Sequence, residues 1–228
     1  MSRQDIKFNA QIATIQCEFP RTEPTIAARF KALFPSNENY HVTFDTGSAT
    51  LAANGKVKVK YSARHQVPVT EKHFEQHIGG RYPLVLSPAR KDGTATWLCA
   101  DCDDYGVDLA GLASKIEKLK LPALLCRSKS GGAHLFQFFY HPVLIAEAEA
   151  LARSLARQLG LPDNELFPRV QNPGTHPFCI NIPYFGSLPP LAAAYCIKCL
   201  GSEMTAGEFA RAAERARMSA EQRIQQLA

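Results

Sequence analysis

The chain switches repeatedly between two rhythms of apolar spacing. From Thr25 to Phe34 the apolar groups fall three and four positions apart, the stripe of an amphipathic helix, and Ser36-Asn37-Glu38-Asn39 breaks it. Two strand-like stretches follow, Tyr40–Asp45 and Lys56–Tyr61, joined by a connection that carries Gly and Asn. Thr70 is placed to cap a short helix over Glu71–Ile78, which Gly79-Gly80 ends. Tyr82–Leu86 and Thr96–Cys102 then read as strands and Asp108–Leu119 as an amphipathic helix. Ala123–Cys126 and His134–Tyr140 read as strands on either side of a Ser/Lys/Gly loop. Val143–Leu159 reads as a long Ala/Leu helix stopped by Gly160. Glu165–Phe167 and Phe178–Ile182 are short strand-like runs, and from Thr205 onward the chain is helical and densely charged. There is no internal repeat, low-complexity tract or long linker. The pattern predicts one α+β domain, with residues 1–65 as a small N-terminal helical and β subdomain packed on a core over 66–228.

Composition changes this picture little. At 228 residues with 46% hydrophobic and 21% charged positions, the chain can bury a real core. A net charge of +5 is compatible with a phosphate-rich partner without requiring one. No apolar run approaches the roughly 18 residues of a membrane span, and the segment beginning MSRQDIKFNAQ has no signal-like apolar region. Seven cysteines with no secretory signal predict free thiols in a reducing cytoplasm. Cys99/Cys102 and Cys196/Cys199 have metal-ligand spacing, and a structural zinc would use both pairs. Against that, residues three apart on a strand point to opposite faces, and the second pair lacks the turn residues of a zinc knuckle.

Three clusters can carry chemistry. In Trp97-Leu-Cys-Ala-Asp101-Cys-Asp103-Asp104-Tyr105 an apolar strand ends in Asp-x-Asp, which puts Asp101 and Asp103 on one face. Paired carboxylates repel unless a cation neutralises them, and hard oxygen donors suit Mg²⁺ or Mn²⁺. A solvated acidic turn has the same composition. In Arg127-Ser128-Lys129-Ser130-Gly131-Gly132-Ala133-His134 two glycines allow close backbone approach to a phosphate, while Arg127, Lys129, Ser130 and His134 supply charge and hydrogen bonds. The plainer alternative is a tight basic hairpin followed by a core histidine. In Asn164-Glu165-Leu166-Phe167-Pro168-Arg169-Val170-Gln171, Glu165 is the leading third acid, with Asp163 competing and Asp104 behind it, and Arg169 and Gln171 can face phosphate or base. Lys56, Lys58 and Lys60 share one face of a strand, and with Arg64 and Tyr61 they form a candidate template-binding stripe. Lysines guarding an edge strand would look the same.

The order of these motifs resembles the archaeo-eukaryotic primase superfamily, and within it the primase-polymerase domains of phage, plasmid and conflict-system or CRISPR-associated proteins. The resemblance rests on strand-Asp-x-Asp, then Ser130-Gly-Gly-Ala-His134, then Glu165-Leu-Phe-Pro-Arg169, then Ile180-Asn181-Ile182-Pro183-Tyr184-Phe185. The segment from Pro68 to Leu84 and the tail Met204-Thr-Ala-Gly-Glu-Phe-Ala extend it over roughly residues 40 to 215. It departs from many relatives at Pro177-Phe178 and at the extra Val170.

The resemblance implies mixed or antiparallel sheets flanked by helices around an RRM-like core. It implies a DNA primase or polymerase, a nucleotidyltransferase using two Mg²⁺ or Mn²⁺ ions held by Asp101, Asp103 and Glu165. Nucleotide contacts would come from His134, Ser130, Lys129 and Arg127, with Arg169 and Asn181 as further contacts. Its substrates would be single-stranded or primed DNA template and NTP or dNTP, with a helicase or priming module in trans or in a longer chain. A catalytically silent replication-initiator or single-strand-binding module on the same fold is the rival class, and a metal-dependent nuclease a third.

Overall fold

The structure is a computed structural model that describes residues 23–228 except 39, 61, 163–164, 171–175 and 187–202. Helix α1 (Ile26–Leu33) leads into β1 (His41–Phe44), a small hairpin of β2 (Ala49–Leu51) and β3 (Val57–Val59), β4 (Ser62–His65) and α2 (Glu71–Ile78). After β5 (Val85–Leu86) comes the run β6 (Thr94–Cys102), α3 (Leu109–Lys118), β7 (Leu124–Arg127), β8 (Ala133–Leu144), α4 (Ile145–Leu159) and β9 (Leu166–Phe167). β10 (Ile180–Asn181), α5 (Ala206–Arg215) and α6 (Ala220–Leu227) complete the described chain.

The run from β6 to β9 is β-α-β-β-α-β, and its four-stranded sheet has the order β7-β8-β6-β9, all antiparallel. This is the split βαβ arrangement of an RRM-like core. Parity on β6 decides what lies on each side of it. Leu98, Ala100 and Cys102 face α3 and α4, packing with Leu112, Ile116, Leu151 and Leu155. Trp97 and Cys99 face the other way, onto Phe30, Phe34, Phe136, Phe138 and Phe209. Phe34 is the hub of that second layer, meeting Trp97 edge-on at 5.1 Å and lying parallel to Phe209 at 6.2 Å. Cys99 and Cys102 therefore sit in different cores and cannot share an ion. Cys196 and Cys199 lie outside the described residues.

The second four-stranded sheet has the order β10-β5-β1-β4. It draws β1 and β4 from before residue 66 and β5 and β10 from after it, so strand pairing crosses that position. The expected Lys56–Tyr61 strand is only Val57–Val59, and a further strand, β4, begins at Ser62. The strand expected over Phe178–Ile182 shortens to Ile180–Asn181, and that over His134–Tyr140 runs on to Leu144 past an irregularity where Ala95 pairs with Val143 but Trp97 with Phe138. The helical tail is two helices. Met218, fully buried, breaks them by bonding β8 at both Phe138 and Tyr140, and Ser219 caps the second helix.

Candidate active site

The acids gather where β6 ends. Asp101 continues the Trp97/Cys99 parity, pairs across the ladder with His134 of β8, and lies with it at the rim of the aromatic face. Asp101 Oδ1 stands 3.4 Å from His134 Nε2, with side-chain exposures of 11% and 3%. Neither Asp101 Oδ1 nor His134 Nδ1 has a hydrogen-bond partner among the described residues, though both are buried. A buried carboxylate oxygen without a hydrogen bond is costly, and a cation would relieve that cost.

Glu165 reaches the same place by backbone pairing. Its carbonyl accepts from the Asp101 amide at 2.8 Å, one step beyond the β6–β9 register, and this brings its carboxyl beside the pair. Burial pushes the Glu165 carboxyl up, and the charges of Asp101 and Asp103 push it further. An acid whose folded pKa is raised stabilises the fold while neutral, and loses that contribution as pH rises through the folded value. Glu165→Gln is therefore expected to raise the melting temperature in metal-free buffer at pH 7.5, by about 1–2 °C. A fall in scanning calorimetry would contradict the repulsion. Asp163 lies outside the described residues, and Asp104 turns away to accept from the Gly106 amide at 3.0 Å.

Asp103 sits just past β6 and is held by two donors. Lys56 Nζ contacts its Oδ2 at 2.7 Å, and the Tyr105 hydroxyl also bonds it. Burial acts to raise the Asp103 pKa, but Lys56 and Tyr105 outweigh it and leave the carboxyl below its usual range. Lys56 was expected on a template-facing stripe with Lys58 and Lys60. Instead it precedes the strand and turns into the acid site, because only Val57–Val59 is extended. Lys58 is exposed on β3 opposite Thr50. Arg64 lies on β4 opposite Val42 and interacts with Tyr40, and Tyr61 is outside the described residues.

The Arg127–Gly132 segment is a tight hairpin beside the acids. Ser128 N bonds Gly132 O at 2.8 Å, and Gly131 N bonds Ser128 O at 3.0 Å. Its glycines have structural causes: Gly131 takes φ +101, and a Cβ at Gly132 would run into the Cys102 carbonyl. Ser130 Oγ accepts from Val57 N at 3.0 Å, and Lys129 Nζ donates to Val57 O at 3.2 Å while lying over the Phe44 ring. Burial, reinforced by Lys56, pushes the Lys129 ammonium pKa down. Arg127 donates to Ser128 O. Arg169 donates to Leu166 O and spans the Phe167 and Phe178 rings next to Glu165, whereas Asn181 sits in β10 of the other sheet, paired with Val85. Gln171 lies outside the described residues.

Among the described residues no three His, Cys, Asp or Glu side chains converge closely enough to hold an ion as they stand. The donors nevertheless fit a divalent cation in chemistry. They are hard oxygens, one is buried with an unsatisfied lone pair, and Lys56 supplies the positive charge that Asp103 takes in this state. Sequence reasoning missed Tyr105 and the inward turn of Lys56, since a contact across 47 positions leaves no trace in local spacing.

Residues 26–166 match the family model described as the TOTE conflict system, Archaeo-Eukaryotic Primase domain. That is more than half of the chain, and the chain belongs to this family. The superfamily typically comprises nucleotidyltransferases that act on nucleic acid and nucleotides, generally with divalent metals. Among solved structures the chain is similar to the AEP domain of the cyanophage S-2L primase-polymerase, at 14% identity, with 77% of this chain and 89% of that chain covered and a TM-score of 0.41. No curated protein matches the sequence. Among the described residues no helix is long and apolar enough to cross a membrane.

Proposed function

We propose that the chain is a template-dependent nucleotidyltransferase, a DNA primase-polymerase that makes or extends strands on single-stranded or primed DNA from NTP or dNTP. The reading rests above all on one observation: Asp101, whose buried Oδ1 has no hydrogen-bond partner among the described residues, lies at the end of β6 with His134 across the ladder, Glu165 joined to it through the backbone and Asp103 two residues on. Asp101, Asp103 and Glu165 would hold two Mg²⁺ or Mn²⁺ ions, which when bound supply the positive charge that activates a 3′-hydroxyl and steadies the leaving pyrophosphate. His134, rigid within the ladder, presents an imidazole beside the acids, and the loop bearing Lys129, Ser130 and Arg127 lies within reach of the β- and γ-phosphates. Their work is alignment: a triphosphate fixed at both ends pays less entropy on the way to in-line attack. Arg169, stiffened between two aromatic rings, is suited to a phosphate or base edge. Lys58, Lys60 and Arg64 supply charge for the template, with a helicase or priming module acting in trans or from a longer chain, in the cytoplasm.

The test is extension of a labelled primed strand with Mg²⁺ or Mn²⁺, beside an unprimed template given NTPs and dNTPs separately. Asp101→Ala/Asp103→Ala is expected to lower incorporation by at least about 10³-fold, the scale on which lost transition-state electrostatics act. Incorporation that survives the double change sinks the reading. Salt-sensitive DNA binding with no turnover under either metal would instead make the chain a silent strand-binding module.

A further inference from the structure

The β2–β3 hairpin belongs to neither large sheet, yet it touches both halves of the site. On one side Lys56 Nζ is 2.7 Å from Asp103 Oδ2 and interacts with the Tyr105 hydroxyl, and a Cβ at Gly55, which has φ +83, would meet the Tyr105 ring at 3.5 Å. On the other side the next residue, Val57, bonds the basic loop through its amide to Ser130 and through its carbonyl to Lys129.

Stability alone does not account for the Lys56–Asp103 contact. The two side chains are 42% and 35% exposed, a setting in which ion pairs contribute little. What the contact does is balance charge. Lys56 Nζ, 2.7 Å from Asp103 Oδ2, sets one positive charge against the acid cluster where a metal would otherwise do so. An ammonium at 2.7 Å from Asp103 Oδ2 takes one of the lone pairs a divalent ion would use, and two cations on one carboxylate repel each other.

We propose that Lys56 is a resident counter-cation of the acid site that competes with a divalent ion for Asp103, so that the β2–β3 hairpin weakens metal binding. This rests on the reading of Asp101, Asp103 and Glu165 as metal ligands. If the ammonium is displaced, Val57 stays anchored to the loop of Lys129 and Ser130, which keeps the Lys56 backbone beside the site. Lys56 is thus a positioning residue.

The test is Mn²⁺ binding, followed by electron paramagnetic resonance of the free ion without nucleotide, to the wild-type protein, Lys56→Met, Lys56→Arg and Asp101→Asn/Asp103→Asn. Lys56→Met is expected to bind Mn²⁺ roughly two- to fivefold tighter, the range an exposed ion pair can withhold. Lys56→Arg, which keeps the charge, should bind like wild type or more weakly. If wild type and the double Asn variant bind Mn²⁺ alike, the metal-site reading itself falls. If wild type binds through the acids but Lys56→Met binds with unchanged or weaker affinity, Lys56 is not a competitor and this proposal is overturned. Should Lys56→Met fail to fold, Lys56→Gln carries the same expectation, and Lys56→Arg binding tighter than wild type would overturn the proposal by itself.

Discussion

Gly132→Ala is expected to destabilise the protein by about 1–3 kcal/mol or more, the range for forcing atoms into a packed interior, and to disturb the acid site with it. The added Cβ would run into the carbonyl oxygen of Cys102, which is backbone and cannot swing aside. Cys102 pairs with Ala133 in the last step of the β6–β8 ladder, next to the Asp101–His134 pair. Relief can come only by opening that end of the sheet, so stability and site geometry fail together. Gly106→Ala is the control. It lies in the same region, but its Cβ would meet only an Asp104 oxygen at ordinary contact distance. Thermal denaturation of both variants decides the matter, and a Gly132→Ala melting point within a degree of wild type would refute the close approach.

Acidification is expected to remove a comparable amount of stability through His77. Its ring is fully buried, with Nδ1 accepting from the Leu84 amide at 2.9 Å and Nε2–H donating to the Pro183 carbonyl at 2.9 Å. A second proton would put charge into the core and turn the acceptor facing Leu84 into a donor. Burial accordingly pushes the pKa down to about 4. Since the folded value lies below the unfolded one near 6.5, the contribution is full above pH ~6.5 and is lost as pH falls through about 4. The shift corresponds to about 3 kcal/mol. His41, pushed to about 4 by burial with His65 and His73 adding to it, acts in the same direction. Glu165 acts in the opposite one. Urea denaturation at pH 7.5 and 4.5 should show a large loss for wild type. In His77→Gln the loss should be visibly smaller, despite lower stability at pH 7.5. An equal loss in both would remove His77 from the acid response.

These two positions also show how legibility divided. Helices with paired start and stop signals could be read directly. Glu71–Ile78 between Thr70 and Gly79 has the expected ends, and the long helix stops at Gly160 in a left-handed conformation. Asp108 caps α3 and Thr205 caps α5 for the same local reason. The two-residue strands β9 and β10 owe their extent to partners far away in sequence, so spacing overstated them, while the short local hairpin β2–β3 was read with different bounds. The break at Met218 was invisible because it depends on an edge of β8 that only the folded chain presents. The glycines of the basic loop were legible as glycines but not by cause: a phosphate was one reason for them, and the Cys102 carbonyl is another.

What the sequence determined by itself was the inventory and its order. An apolar run ending in Asp101-Cys-Asp103 brings both acids to one strand end, Asp101 inside the strand and Asp103 just past it. The basic loop ending in His134 and the Leu166-Phe167 run follow in the order of the primase family. Tertiary structure alone decided which charges meet. The β6–β8 register set Asp101 opposite His134, the β6–β9 pairing carried Glu165 to Asp101, and a hairpin 47 positions upstream delivered Lys56 to Asp103. The first two are long-range pairings whose register is chosen by burial on both faces of one sheet, the third is a side-chain contact from a separate hairpin, and no local pattern encodes any of them.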